Sequence, residues 1–323
     1  MDKKKKSTKT NKSEKLVSRK SNKKKSILNA AIKILVSALI IFFLFKMVNF
    51  ELLIANIKNI KVGFFVLALL LIYPNILMRA IRFRMIINKG GFSISIRDAY
   101  RLTLIGSALN IFMPASTGDI VKAYYGYKRH KIREEMLSAS LVDKVIALLS
   151  LFIIGTISSL FFKFTNFFLI AALCTAIFLA VLLVPKIIPW KLFNKIIVVF
   201  AKKKFDERKL VDAFTVDKKL KIETIIISII GWLITYSQFY LVCRAYSAPV
   251  NYIYLLAISP LVMLARLFPL TLNGIGSTEA MITYLFGLIG ISVTSAVVIS
   301  LTNTLVELII PGIIGLFIIV REK

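Results

Sequence analysis

Five ionisable residues lie in or beside long apolar stretches, where a charged side chain has little access to water. They are Asp119, Asp143, Lys144, Glu279 and Glu307. At the bilayer centre one such charge costs about 2.5–3.5 kcal/mol, so each should face protein or a cavity and have a partner. Asp143 and Lys144 are adjacent and would point about 100° apart on a helix, so each is expected to pair with a different residue. Asp119 and Lys122 are three residues apart and could pair on one helical face.

Two apolar segments are interrupted in the same way. The sequences LNIFMPASTGDIVK at 109–122 and LFPLTLNGIGSTEA at 267–280 both pass from an apolar run through a proline, small or hydroxyl residues and glycine to a carboxylate. Their prolines, Pro114 and Pro269, differ by 155 in number, and whether the two halves are duplicated stays open. Broken segments at corresponding places in two halves are the best sequence indication of a transporter site near the membrane midplane.

The polar residues of both segments could bind a polar head group. Amide and hydroxyl side chains that could form hydrogen bonds are Asn110, Ser116, Thr117 and Asn273, and the turns of the same candidate site contain Gly118, Gly274 and Gly276. For Asp119 and Glu279, capping of a helix N-terminus and contact with an amine are both compatible with the sequence. Glu307 is expected to form an interhelical hydrogen bond.

Four basic residues are candidates for binding phosphate. Arg79 and Arg82 are three residues apart and share a helical face, and guanidinium groups bind phosphate through two parallel hydrogen bonds. The alternative for both is anchoring at the inner leaflet. Lys122 and Arg266 are closer to the broken segments, where half-helix N-termini would add positive dipole ends.

The composition indicates an all-α polytopic membrane protein. Of 323 residues, 58% are hydrophobic and the mean hydropathy is +0.79, well above the roughly 45–50% apolar share of soluble domains. Apolar runs long enough to cross a bilayer predict about six full spans, at 27–48, 62–80, 136–161, 167–188, 222–243 and 293–320. The interrupted segments at 102–126 and 253–290 would add two re-entrant or broken hairpins, giving up to eight spans and, if the halves are duplicated, an inverted repeat.

The distribution of charge predicts the topology. The net charge of +28 is concentrated in the tail 1–26 and in the loop 186–221, and basic flanks are typical of cytoplasmic segments. We therefore expect a cytoplasmic-membrane protein with both termini in the cytoplasm, a first hairpin that enters from that side and a second that enters from the opposite side. The tail should attract anionic lipid, and a nucleic-acid partner is not expected.

The sequence contains no familiar catalytic motif. It has no phosphate-binding P-loop, dinucleotide fingerprint, metal-spaced histidine pair or nucleophile elbow. The single histidine, His130, lies in a basic cluster, and Cys174 and Cys243 lie in apolar spans without ligand or redox spacing. We expect no cofactor and no metal.

Taken together, the motifs resemble a known family. RAIRFR at 79–84, LNIFMPASTGDIVKAYY at 109–125, SASLVDKVIAL at 138–148 and FPLTLNGIGSTEA at 268–280 occur together and in order. This series resembles the flippase-like transmembrane region of the lysylphosphatidylglycerol synthetase family, over residues 27–320. That family usually has Glu and Arg where this chain has Asp119 and Lys122, and Glu-Arg where it has Asp143 and Lys144. The charge signs are kept, but lysine lacks the planar fork of arginine.

The resemblance implies a transmembrane domain, residues 27–323, that moves a lipid with an anionic or aminoacylated, phosphate-bearing head group between leaflets. It does not imply the lysyl transfer of full-length members, which resides in a soluble C-terminal domain. Because the chain stops at Lys323 directly after the last span, we do not expect an enzyme. The alternatives are a membrane partner of a glycosyltransferase or lipid-modifying enzyme and, less favoured, the phosphatidylglycerol lysyltransferase itself.

Overall fold

The structure is a computed structural model that describes residues 32–89, 92–113, 116–130, 133–162, 165–187, 214, 217–268 and 271–321. The predictions for the tail 1–26, for Pro114 and Pro269, and for most of the loop 186–221 lie outside the described residues.

The described residues are helical, and no strand occurs among them. The helices are α1 (Ile32–Lys46), α2 (Phe50–Lys58), α3 (Val62–Lys89), α4 (Ile96–Phe112), α5 (Gly118–His130), α6 (Arg133–Ser159), α7 (Thr165–Leu183), α8 (Lys218–Ala245), α9 (Tyr252–Leu267), α10 (Ser277–Gly287) and α11 (Val293–Arg321). In this part of the chain α3, α6, α7, α8 and α11 are long and apolar enough to cross a membrane, and the bent pair α1–α2 would be a sixth span. The predicted all-α polytopic membrane architecture is confirmed.

Helices α4 and α5 form the first hairpin. At its base Asp98 and Arg129 are joined by a salt bridge of 3.1 Å, and the Ser95 hydroxyl caps α4 by accepting a hydrogen bond from the Asp98 backbone N–H. Near its tip, Gly118 lies so close to Asn110 that a Cβ would collide with the Asn110 backbone nitrogen. The first interrupted segment is therefore a helical hairpin with closely packed, antiparallel arms.

Helices α9 and α10 form the second hairpin. At its base the Tyr254 hydroxyl donates a hydrogen bond of 2.6 Å to the Leu285 carbonyl. Near its tip the Ser277 hydroxyl donates to the Ala265 carbonyl at 2.9 Å. The side chain of Asn251 caps the first arm, as Ser95 does in the first hairpin. The second interrupted segment thus has the same antiparallel build.

The two hairpins enter the bundle from opposite ends. Helix α6 has 27 residues and is about 40 Å long. It begins three residues after His130, at the base of the first hairpin, whereas just beyond its other end the Phe162 ring contacts Tyr254, at the base of the second. The tips meet inside, where the Ser116 hydroxyl donates a hydrogen bond of 2.7 Å to Asn273 Oδ1. The prediction that the two hairpins enter from opposite sides is confirmed for the helix bundle.

The two halves of the chain repeat one another with inverted direction. Helices α3 and α8 both have 28 residues, and their first residues, 62 and 218, differ by 156, as do the first residues of α4 and α9, 96 and 252. Helices α3 and α8 are antiparallel, because the Lys61 N–H donates to the Ala245 carbonyl at one end while Arg82 donates to Ser228 further along. A unit of long helix, hairpin and long helix therefore occurs twice within the described residues, which is the arrangement that an inverted repeat would have.

Each hairpin packs against the long helix that follows the other hairpin. A Cβ at Gly315 of α11 would collide with the Leu104 carbonyl of α4, and a Cβ at Gly155 of α6 would collide with the Pro260 ring of α9. Small residues at such points let helix backbones approach closely in a membrane. The halves are therefore interlocked.

One predicted boundary was wrong. The second span does not end near residue 80, because α3 continues to Lys89 and includes Arg79 and Arg82 within the helix. Carboxylates from other helices neutralise both guanidinium groups, so these arginines do not need the membrane surface. The first predicted span, 27–48, is followed directly by α2, which is bent by 92° from α1.

Helix α2 lies across one end of the bundle. It has no buried residue. The Asn49 side chain caps its first turn, and the Asn49 backbone N–H donates to Thr294 Oγ1 near the start of α11 at 3.0 Å. The end of the bundle that holds α2 is therefore the end from which the second hairpin enters.

The inverted arrangement predicts which residues share one side of the membrane. In a background with Cys174 and Cys243 replaced by Ala, single cysteines at Ser93 and Lys128 should be labelled by an impermeant maleimide from one side. Cysteines at Pro249 and Gly287 should be labelled from the other side, since all four positions are exposed and flank the two hairpins. Labelling of both pairs from the same side would contradict the opposed hairpins.

Candidate functional site

A polar cavity of about 110 Å³ lies where the hairpin tips meet. That volume is several times the roughly 10–15 Å³ needed to hold one water molecule. Helices of both halves and both tips line it, and its polar side chains are Asn75, Arg79, Arg82, Ser107, Asn110, Ser116, Asp119, Asp143, Lys144, Ser228, Trp232, Thr235, Arg266, Asn273 and Glu307.

One cluster of ion pairs, which we call the open cluster, consists of Asp119, Arg79 and Lys144. Asp119 Oδ1 lies 2.9 Å from Arg79 Nη2, and Asp119 Oδ2 lies 3.3 Å from Lys144 Nζ. Arg79 also donates to the Ser107 hydroxyl at 3.4 Å. The three charged side chains are 14%, 29% and 17% exposed, respectively, so each retains access to the cavity. The open cluster joins α5 to α3 and α6.

A second cluster, which we call the sealed cluster, consists of Asp143, Arg82 and Lys122. Asp143 Oδ1 lies 2.7 Å from Arg82 Nε, and Oδ2 lies 3.3 Å from Lys122 Nζ. Arg82 also donates to Ser228, and the Lys122 ammonium lies 4.2 Å from the centre of the Phe83 ring. These charged side chains are at most 7% exposed. The sealed cluster joins the same three helices but is closed to solvent.

Glu307 forms the third ionic contact. Arg266 of α9 binds its two oxygens through Nη1 at 2.5 Å and Nη2 at 3.2 Å, and Asn303 donates to Oε2. Glu307 lies in a π-helical turn, Leu305–Ile309, within α11, and such widened turns often occur at functional sites. The pair joins the second hairpin to the last long helix.

Cations outnumber carboxylates in these three groups. Asp119 and Asp143 each bind two cations and Glu307 binds one, so five cations meet three carboxylates. Among the residues that line the cavity itself, four cations, Arg79, Arg82, Lys144 and Arg266, meet three carboxylates, so the described contacts leave an excess of positive charge there. Such a site favours an anion.

The structure brings most of the sequence-predicted residues together. Those that line the cavity are Arg79, Arg82, Asn110, Ser116, Asp119, Asp143, Lys144, Arg266 and Asn273. The expectation that Asp143 and Lys144 pair with different residues is confirmed. The expected pairing of Asp119 with Lys122 is wrong, because α3 and α6 supply nearer partners for both. Lys122 is sealed beneath the cavity instead of lining it.

The carboxylates of the two hairpins have different positions and partners. Asp119 does not cap its helix, since Thr117 is the residue whose carbonyl accepts the first intrahelical bond, from Val121. Glu279 does act as a cap: it accepts the Gly276 backbone N–H at 2.6 Å and the Thr304 hydroxyl at 2.5 Å. Its side chain is fully buried and is not part of the cavity lining.

The glycines of the predicted site shape the tips. Gly118 allows the contact with Asn110, while Gly274 and Gly276 have φ of +80° and +94°, which glycine adopts without strain. Ser116 and Asn273, whose side chains join the tips, also have positive φ, 53° and 46°. For such residues this conformation is uncommon, so both tips have unusual local geometry.

Sequence reasoning missed one wall of the cavity. Ser228, Trp232 and Thr235 lie on one face of α8, and Asn75 of α3 donates to the Thr235 hydroxyl. A signal existed, because Ser228 and Thr235 are seven residues apart in an apolar span and therefore lie on one helical face. Glu307 was expected to form only an interhelical hydrogen bond, yet it also lines the cavity.

The fold and site define a polytopic membrane protein with a charged cavity between two opposed helical hairpins. The family model described as the lysylphosphatidylglycerol synthase TM region matches residues 30–315, which is most of the chain. The chain belongs to that family, as its motifs predicted, and so to membrane domains related to lipid modification or transport. No curated protein matches the sequence significantly.

The sealed cluster predicts a large stability effect at Asp143. The substitution Asp143→Asn leaves Arg82 and Lys122 buried without a carboxylate, so we expect a loss of about 3–5 kcal/mol in the free energy of unfolding. Thermal unfolding in detergent should show a clearly lower midpoint. Lys122→Met leaves the one-to-one pair of Arg82 and Asp143 and should cost much less. The double variant Asp143→Asn/Lys122→Met should regain part of the loss, and a double variant no more stable than Asp143→Asn would contradict this reading.

Proposed function

We propose that this protein is a lipid translocase that moves a lipid with a phosphate-bearing head group between the leaflets of the cytoplasmic membrane. The excess of cations over carboxylates in the cavity between the hairpin tips carries the proposal. In a transporter built from inverted repeats, the substrate site lies where broken helices of the two halves meet. The cavity has that position here.

The nature of the cations favours phosphate. Arg79 and Arg266 present guanidinium groups to the cavity from two different halves of the chain, and guanidinium binds phosphate oxygens in pairs. Lys144 adds a third positive charge to the cavity lining, on an ammonium group. A single anionic head group would bring the cavity closer to neutrality.

The surroundings of the tips suit a lipid whose tails remain in the bilayer. Phe112 and Phe268 are apolar residues just before the two tips, they differ by 156 in number, and both are exposed. Ser116 and Asn273, only a few residues further on, line the cavity. The tips therefore connect a polar cavity with an apolar surface within a few residues, so a head group could enter while the acyl chains stay in lipid.

The charge distribution supports a definite orientation. Basic residues near the base of the first hairpin include Arg84, Lys89, Arg97, Lys128 and Arg129. By the positive-inside rule this end of the bundle, which we call the basic end, faces the cytoplasm, as both termini then would. The protein itself needs no catalytic activity in this proposal.

Leaflet exchange in proteoliposomes tests the proposal. Vesicles that contain the wild-type protein and a fluorescent phosphatidylglycerol should show faster exchange than empty vesicles. Arg79→Gln removes a cavity cation and should slow exchange by about tenfold, the factor that corresponds to 1.4 kcal/mol. The matched control is Arg84→Gln on the same helix, where Arg84 is exposed and donates to the Ile94 carbonyl; its rate should stay within about twofold of wild type.

Different outcomes have different meanings in this assay. If wild-type protein exchanges neither phosphatidylglycerol, an aminoacylated phospholipid, a polyprenyl phosphate nor a phosphate-linked glycolipid faster than empty vesicles, the translocase proposal fails. The alternative function, a membrane partner of a glycosyltransferase or lipid-modifying enzyme, would then be favoured. Equal slowing by both arginine variants would show that charge near the basic end, and not the cavity, determines the rate.

A further inference from the structure

The open and sealed clusters have the same composition but different access. Each contains one aspartate, one arginine and one lysine, and both oxygens of the aspartate bind cations. Each cluster joins α3, α5 and α6. Both aspartates line the cavity, but the Asp143 side chain is 5% exposed, whereas the Asp119 side chain is 14% exposed. The partners of Asp119 are also the more accessible ones, because Arg79 and Lys144 are 29% and 17% exposed, whereas Arg82 is 7% exposed and Lys122 does not line the cavity.

The position of the Asp119 carboxylate resembles that of a bound anion. It lies in the first turn of α5, close to the positive end of the helix dipole, and its two oxygens contact a guanidinium from one side and an ammonium from the other. A phosphate group also offers paired oxygens to such donors. The described contacts show no third cation within salt-bridge distance of Asp119.

We propose that Asp119 is an internal substitute for the substrate's phosphate, which displaces the Asp119 carboxylate from Arg79 and Lys144 when the head group binds. This inference rests on the proposed function and concerns the same cavity. It assigns Asp119 a positioning role: the residue does not hold the ligand but competes with it for the same two cations.

The exchange keeps the cost of each state low. Without Asp119, Arg79 and Lys144 would have no carboxylate partner in the empty cavity, and unpaired buried charges are costly. With Asp119, one anion replaces another, so the number of ionic contacts changes little. Binding is then weak enough for the head group to leave on the other side, which a translocase requires.

Displacement of Asp119 would also release the first hairpin. Among the described contacts, the open cluster is one of two ionic attachments of α5 to α3 and α6. The tip contact between Ser116 and Asn273 lies only three residues before Asp119. Loss of the open cluster leaves the sealed cluster as a pivot deeper in α5. Head-group binding is thereby coupled to separation of the tips.

The test measures binding separately from transport. The second tryptophan, Trp190, lies outside the described residues, so replacing it by Phe leaves Trp232, a cavity residue, as the fluorescent reporter. Detergent-solubilised full-length protein is titrated with two probes, dihexanoyl phosphatidylglycerol and inorganic phosphate. For Asp119→Asn we expect tighter binding by about tenfold, because the competing carboxylate is gone. Tighter binding of both probes identifies the phosphate group as the recognised chemistry, and tighter binding of the lipid alone shows that the glycerol ester is needed too.

Transport should change in the opposite direction. In proteoliposomes Asp119→Asn should lower the lipid concentration for half-maximal exchange and also lower the maximal rate, because the head group no longer has a competitor that aids its release. Asp119→Glu keeps a carboxylate and should restore wild-type binding in large part. Asp98→Asn removes the same charge at the base of the first hairpin, where Asp98 pairs with Arg129 outside the cavity lining, and should not tighten binding of either probe.

Several results would overturn the inference. Binding to Asp119→Asn that is equal to or weaker than wild type, with the variant folded by size-exclusion chromatography, contradicts competition by the carboxylate. Equal tightening by Asp98→Asn would show a nonspecific effect of net charge. If Asp119→Asn binds the probes more tightly while wild-type protein moves no lipid, competition stands and the translocase proposal fails, so the two claims are separable.

Discussion

Charged side chains remote from water must be neutralised by other parts of the protein, and this requirement determines how the helices of this bundle are arranged. Arg79 and Arg82 of α3 form salt bridges with aspartates, Arg79 with one of α5 and Arg82 with one of α6. Helix α5, the second or return arm of the first hairpin, is therefore held between α3 and α6 by ionic contacts at two positions along its length. Apolar packing surrounds these contacts, but it does not by itself determine the register of α5.

The inverted halves are alike in backbone and unlike in charge. In the first hairpin the return arm carries Asp119 and Lys122, and each of them forms ion pairs with residues of other helices. In the second the corresponding Glu279 accepts hydrogen bonds from a backbone N–H and a hydroxyl. Ionic contacts that face a cavity can be exchanged for contacts with a ligand, whereas a buried capping contact cannot. By this criterion α5, the second arm of the first hairpin, is a better candidate for a moving element than α10, the second arm of the second hairpin.

Much of this architecture could be predicted from the sequence. Apolar length identified the spans, and the two Pro/Gly interruptions identified both hairpins, because backbone geometry depends on local residue types. The partners of the charges could not be predicted, since Asp119 and Lys122 are near in sequence but meet cations and carboxylates from distant helices. The end of α3 was missed for the same reason: Arg79 and Arg82 suggested a membrane surface until their buried partners were known.

The bend between α1 and α2 gives a measure of depth in the membrane. If α1 crosses the membrane, then α2, which is at 92° to it, runs parallel to the bilayer surface. The contact between Asn49 and Thr294 places the start of α11 at the same level as the start of α2. Glu307 is 14 residues beyond Val293, or about 21 Å along the helix, in a hydrocarbon core about 30 Å thick. The charged cavity is then nearer the basic end than the midplane that broken segments predict. A head group would have a short path to the cavity from one leaflet and a long path from the other.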